Sequence, residues 1–122
     1  MRRKFRIRTS REFRRVYGGR VRHGGRLVVV HSRSNSVGHP RFGFSVSSKA
    51  GGAVVRNLLK RRLRSVADDL LTTASGSVDL VVVVRPEAAA ASFAELSSEF
   101  RVLAGEVLTF EPADGPSFTT AD

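Results

Sequence analysis

The chain predicts a small α/β (α+β) two-layer sandwich with the element order helix–strand–strand–helix–strand–helix. Three observations carry this. Val54–Val66, VVRNLLKRRLRSV, repeats apolar residues at helical spacing. Leu27–Ser32 and Val78–Val84 are β-branched runs of strand length. Arg41–Ser48, RFGFSVSS, alternates with period two. The chain has 122 residues, enough for one modest core and too few for two domains. The expected domain spans 1–108, and 109–122, TFEPADGPSFTTAD, is expected to be a disordered, dispensable acidic tail.

The first eight residues alternate cations with Phe5 and Ile7, which fits an extended basic arm and equally a loose terminus. Thr9 and Glu12 have the spacing of a capping box, opening a short helix from Ser10 to Tyr17 that stops at Gly18-Gly19. Phe13, Val16 and Tyr17 share one face of it. Gly18–Arg26 reads as a Gly- and Arg-rich loop. In the strand Leu27–Ser32, period two puts Leu27, Val29 and His31 on one face and Val28, Val30 and Ser32 on the other. In Arg41–Ser48, Phe42, Phe44 and Val46 point inward, and Arg41, Gly43, Ser45, Ser47 and Lys49 form a small polar face with cations at both ends. That face suits a nucleic-acid backbone and equally plain solvent.

The main helix runs from Ala53 to Leu71, with the turn after it near Ser75-Gly76. Arg56, Asn57, Lys60, Arg61 and Arg64 fall within about 140° of its circumference, and Val55, Leu58, Leu59, Leu63, Val66 and Leu70 fill an apolar arc of similar width. Arg62 projects from the apolar arc and must snorkel or find a partner. Val78–Val84 is a buried central strand stopped by Arg85-Pro86, and Arg85 at its exit fits either the basic face or a structural role. Ser92 and Glu95 form a second capping box for a last helix, whose outer face carries Glu95, Glu99 and Glu106.

Charge narrows the function. Residues 1–64 hold 19 of the 21 Lys and Arg and one acid, Glu12; residues 65–122 hold two Arg and ten acids. One side of the domain therefore faces a polyanion, whether RNA, DNA or an anionic membrane. Like charges at Arg56–Lys60–Arg64 repel by a few tenths of a kcal/mol per pair unless an anion or solvent screens them. Arginine's planar fork binds two phosphate oxygens at once. A DNA-binding repressor is a poor fit, because no helix precedes the basic helix at helix-turn-helix spacing.

Cysteine is absent, which excludes disulfides and thiolate zinc sites and agrees with a reducing cytoplasm. No apolar run approaches the ~18–20 residues of a membrane span. His23, His31 and His39 lack metal-ligand spacing, and the pair Asp68-Asp69 reads as a solvated helix end. No nucleophile triad, P-loop or dinucleotide fingerprint is present, so no protein active site is expected.

The string Phe44–Arg64, FSVSSKAGGAVVRNLLKRRLR, resembles the signature of the bacterial ribonuclease P protein subunit. There a strand ending in Ser-x-Lys-x-Gly runs into a helix bearing Arg-Asn-x-x-Lys-Arg-x-x-Arg, matched here by Ser47, Lys49, Gly51, Arg56, Asn57, Lys60, Arg61 and Arg64. Gly52 departs from the pattern, where Asn is frequent, and offers no side-chain cap. The resemblance covers Phe5–Leu108 and implies a left-handed βαβ crossover around the basic helix. It implies a subunit of a cytoplasmic ribonucleoprotein endonuclease whose RNA holds Mg²⁺ and removes the 5′ leader of precursor tRNA. Arg56, Asn57, Lys60, Arg61 and Arg64 would meet the catalytic RNA. Phe13, Tyr17, Ser45, Ser47 and Lys49 would meet the leader, with Val30 at the place of a further cleft aromatic and His31 beside it. The partners implied are the catalytic RNA and precursor tRNA, with no membrane and no required protein partner. The alternative is a ribosomal-type or RNA-chaperone protein with no role in cleavage, which shares the charge argument and lacks the motif.

Overall fold

The computed structural model describes residues 1–110, so the expected tail beyond Phe110 lies outside the described residues. The helices are α1 (Ser10–Tyr17), α2 (Ala53–Leu71) and α3 (Phe93–Gly105). The strands are β1 (Val21–Gly24), β2 (Val28–Ser34), β3 (Arg41–Val46), β4 (Ala74–Ser75), β5 (Val78–Val84) and β6 (Thr109–Phe110). The main sheet has the order β1-β2-β5-β3. β3 and β5 run parallel, joined by α2, while β1 with β2 and β2 with β5 are antiparallel. β4 and β6 form a separate ribbon, so Thr109 and Phe110 of the expected tail carry strand pairing.

The helices start where the sequence has their caps. Thr9 accepts from the Glu12 N–H at 3.1 Å while Glu12 accepts from the Thr9 N–H, and Ser92 and Glu95 repeat the arrangement on α3. α2 buries Leu59, Leu63, Val66, Ala67 and Leu70 against the sheet. With Val28, Val30, Leu80, Val82, Phe42, Leu96 and Phe100 they form the main core. Phe100 of α3 packs edge-on against both Phe42 and Phe44.

Four expectations change. Val21–Gly24 is a strand rather than a loop; as an edge strand exposed along most of its length it needs no apolar alternation. β3 ends at Val46, because the Ser47 hydroxyl accepts from the Lys49 N–H and turns the chain into a 3-10 helix, Ser48–Ala50. Ser47 and Lys49 therefore leave the polar face of the strand. Val30 points into the main core, fully buried, and His31 takes the opposite face. The α3 acids are not a free outer face. Glu99 accepts from the N–H groups of Arg26, Leu27 and Val28, Glu95 pairs with Arg26, and Glu106 pairs with His23. Together they clamp the β1–β2 hairpin onto α3.

The opposite sheet face is set by cross-strand register. Residues side by side on neighbouring strands share a face, so one row reads Arg33–Asp79–Arg41, the next Arg22–His31–Val81–Gly43, and the third Gly24–Val29–Val83–Ser45. α1 lies over the first two rows. Val16 and Ile7 close a small second core on Val81, and Phe13 sits on Gly43, where a β-carbon would come within 2.7 Å of its ring. The N-terminal arm docks along the outer edge of β3, the Ile7 N–H donating to the Phe42 carbonyl at 2.9 Å. Among the described residues this leaves β1 as the open edge of the sheet.

Asp79, the acid inside VDLVVVV, is 1% exposed and holds this side together. Arg41 grips it with Nε and Nη2, both at 2.8 Å, Asn35 Nδ2 donates to it at 2.8 Å, and Arg15 Nη1 reaches it from α1 at 3.5 Å. Arg41 also meets Glu12 at 3.2 Å. Arg41 is thus a structural cation, not a free end of the polar face. Removing one partner of such a buried pair leaves the other unpaired, so Asp79→Ala should cost about 3 kcal/mol or more in urea unfolding. Backbone N–H donation from Arg8, then from Thr9, with the Arg41 charge, lowers the Glu12 pKa against the opposing effect of burial. A depressed folded pKa stabilises above the ordinary glutamate range and is lost as pH falls through the folded value. The stability difference between wild type and Glu12→Gln should shrink in that acid range; a constant difference down to the acid transition would contradict it.

Candidate nucleic-acid interface

The first surface is the solvent side of α2. Once its apolar arc is buried, helical geometry pushes the cations outward. Asn57 and Arg61 are exposed, and Arg56, Lys60 and Arg64 half-buried. None of the four cations has an ion-pair partner among the described residues, although Asp68 pairs with the Met1 amine and Asp69 with Arg101 on the same helix. Arg56 Nε is buried with no hydrogen-bond partner among the described residues. Arg62 is half-buried and likewise without an ion pair among them. The N-terminus of α2 has no side-chain cap at Gly52. It follows Gly51, whose φ of 142° requires glycine and whose missing β-carbon leaves room for Val55. Val54 stands 83% exposed beside the cations.

The second surface is the sheet face beside α1. Its wall is Phe13 and Tyr17, and its floor is the row Ser45–Val83–Val29–Gly24. Ser45 and Val83 are half-buried, and Tyr17 is 39% exposed with its ring edge-to-face on His31, centroids 5.0 Å apart. Phe13 is half-buried against Gly43 and packs in the second core as well as facing the groove. Ser47 and Lys49, both exposed, lie beyond the end of β3 next to the start of α2. A cavity of about 70 Å³ under the N-terminal arm is lined by Arg6, Phe13 and Gly43 together with Arg64 of α2, so the two surfaces meet around the outer edge of β3.

Of the ten residues expected to bind RNA, five lie on α2, Phe13, Tyr17 and Ser45 lie on the sheet face beside α1, and Ser47 and Lys49 lie in the turn between β3 and α2. Sequence reasoning missed three features. His31, not Val30, stands on the face toward Tyr17; the alternation of the strand was legible, but not which of its two faces meets the main core. Asp79 was legible as a lone charge in a buried strand, a position that demands a cationic partner. Arg85 donates Nε to the Gly25 carbonyl at 2.8 Å, which fixes its stem in the hairpin turn.

The carboxylates do not fit a protein-held Mg²⁺. Glu12, Asp79, Glu95 and Glu99 are engaged by cations or backbone N–H groups, and no cluster of three or more metal-ligating side chains exists among the described residues. No helix among the described residues is long and apolar enough to cross a membrane.

A family model for ribonuclease P matches residues 1–107. The ribonuclease P protein component of Acidothermus cellulolyticus is 38% identical over 116 residues, 93% of this chain and 97% of that protein. That of Pseudarthrobacter chlorophenolicus is 40% identical over 96 residues, 78% of this chain and 71% of that protein. The solved RNase P protein of Staphylococcus aureus superposes with a TM-score of 0.80 at 27% identity, over 88% of this chain and 98% of that one.

Burial, and after it the Arg22 charge, lowers the His31 pKa below the ordinary histidine value. The neutral ring is the one that packs on Tyr17. With a depressed folded pKa, the unfolded chain binds the proton first as pH falls, so stability is lost from the ordinary histidine range downward. His31→Phe should flatten that limb of the stability curve while keeping the aromatic contact. An NMR titration placing His31 at or above the free value would contradict the assignment.

Proposed function

We propose a division of labour from the premise that this chain belongs to the ribonuclease P protein family, the protein component of a ribonucleoprotein endoribonuclease that processes tRNA. The α2 face binds the catalytic RNA, and the groove beside α1 binds the single-stranded 5′ leader of precursor tRNA. The observation that carries this reading is the cationic face of α2. Its Arg56, Lys60, Arg61 and Arg64 gather on one helical face and have no acidic partner among the described residues, although Asp68 and Asp69 stand on the same helix and are paired elsewhere.

Each role follows from side-chain chemistry. Arg56, Arg61 and Arg64 offer planar forks to phosphate, Lys60 a point charge, and Asn57 a neutral donor and acceptor for a sugar or base edge. Each phosphate they neutralise releases counterions, so binding weakens steeply with salt. In the groove, Tyr17 stacks an unpaired base, with Phe13 behind it; Ser45 lies below, and Ser47 and Lys49, past the end of β3, meet the backbone. Mg²⁺ and the hydrolytic chemistry belong to the RNA, and the protein screens the repulsion between two polyanions. The assembly works in the cytoplasm without a further protein partner. The relatives named above are all ribonuclease P proteins, and none is a ribosomal or chaperone protein.

Arg61→Ala with Arg64→Ala should leave the circular dichroism spectrum unchanged and raise the Mg²⁺ needed for cleavage of precursor tRNA. An unchanged Mg²⁺ requirement in the folded double variant would refute the α2 assignment. Tyr17→Ala should weaken precursor binding by about 1–3 kcal/mol, the usual worth of one stacked base, and leave mature tRNA untouched. Tyr17 is the cleaner probe, since Phe13 also supports α1 on Gly43. Equal losses for precursor and mature tRNA would remove Tyr17 from the leader site.

A further inference from the structure

The chain carries 11 acids, and three of them, Glu111, Asp114 and Asp122, fall in residues 111–122, EPADGPSFTTAD, which hold no Lys or Arg. Every other acid except Glu87 already meets a cation or backbone N–H groups among the described residues. Within this chain, the acids still open to the α2 cations are therefore chiefly those of 111–122. Chain geometry brings the two together. Phe110 pairs with Ala74 in the β4–β6 ribbon, three residues after α2 ends at Leu71, and β4 packs against α2. The arginines of α1 stand on the other side of the sheet, with the second core rather than the main one.

The distances permit contact. Along α2, Arg64 lies about 10 Å before Leu71 at 1.5 Å per residue, and Arg61 about 15 Å. An extended chain gains about 3.3 Å per residue, so Asp114 reaches up to about 13 Å beyond Phe110 and Asp122 up to about 40 Å. A carboxylate tethered that close acts at an effective concentration on the order of millimolar. Its approach relieves the repulsion along Arg56–Lys60–Arg64. Exposed ion pairs are weak, so such a contact holds the face lightly and yields to a ligand that presents several phosphates at once.

We propose that residues 111–122 compete with RNA for the α2 face: in the free protein their carboxylates pair with Arg61 and Arg64, and RNA phosphates displace them. This rests on the reading of α2 as the surface for the catalytic RNA, and adds a threshold to it. Any RNA that takes the face must first displace the same carboxylates, so every affinity at α2 falls by the same factor. Weak complexes with unrelated RNA then come apart at working concentrations. The catalytic RNA, bound far more tightly, stays. The acidic segment thus screens the basic face of the free protein without touching RNA itself.

The test uses the full chain. Glu111→Gln with Asp114→Asn and Asp122→Asn removes the charge without shortening the protein. This variant should bind a ribonuclease P RNA and an unrelated RNA each about threefold more tightly at low salt, and the difference should fade as salt is raised. In the Arg61→Ala, Arg64→Ala background the same three substitutions should change nothing. A difference that persists there reports net charge alone and overturns the contact. Position is read separately: with no native cysteine, Ser117→Cys carries a single nitroxide. It should broaden the NMR amide signals of Arg61 and Arg64 in the free protein, should not do so once the three acids are neutralised, and should be relieved by a saturating short RNA duplex. No broadening at α2, or broadening that grows with protein concentration and so comes from a second copy, overturns the proposal while leaving the α2 assignment standing. Broadening that the duplex does not relieve overturns the competition and the α2 assignment together.

Discussion

Asp79 sits in the middle strand of the sheet with almost no contact with water, and three elements reach in to satisfy it. Arg41 binds it from β3, Asn35 from the turn after β2, and Arg15 from α1. A buried carboxylate is tolerable only when its oxygens are filled this way. Because Arg15 and Glu12 both belong to α1, the same network anchors that helix over the Asp79 end of the sheet. Gly43 then admits Phe13, and Val81 receives Val16. The rows nearer the other strand ends stay partly open. The groove and its aromatic wall follow from where one acid placed one helix.

The basic face arises from a different constraint. α2 is the crossover between parallel neighbours and must bury a stripe against them. With Leu59, Leu63, Val66 and Leu70 turned inward, the intervening cations face out and cannot find acids there. Among the described residues, Glu95, Glu99 and Glu106 pin the β1–β2 hairpin to α3, and Asp68 and Asp69 pair with the Met1 amine and Arg101. The charge asymmetry between the two halves is therefore converted into an asymmetry in space. The solvent face of α2 is left with cations that have no acidic partner among the described residues.

Much of this was legible in the sequence. α1, α2 and β5 have the bounds that caps and periodicity set, and α3 starts at its capping box, because these signals are local. The α2 residues were legible together since one helical period gathers them. What was hidden depends on tertiary placement. β1 is an arginine-rich edge strand, stabilised by its neighbour and by α3 rather than by an apolar face of its own. Period two put Val30 and His31 on opposite faces as the structure has them, but it does not say which face meets the main core, so Val30 was matched to the cleft position and lies instead in the core. Ser47 and Lys49 left the strand because a serine hydroxyl caps a turn as readily as it lines a sheet. Glu99 looked like surface charge, and only the fold shows three backbone N–H groups converging on it.

The central claim is that two surfaces of one small domain hold two different RNAs. The chain contains no cysteine, so single cysteines can carry a photo-crosslinker without background. Ser45→Cys places it on the groove floor, and Ala53→Cys places it, exposed, within the cationic arc of α2. In the assembled holoenzyme with precursor tRNA, Ser45 should crosslink to the leader and Ala53 to the catalytic RNA. Crosslinks from both positions to the same RNA, or the two targets exchanged, would contradict the account.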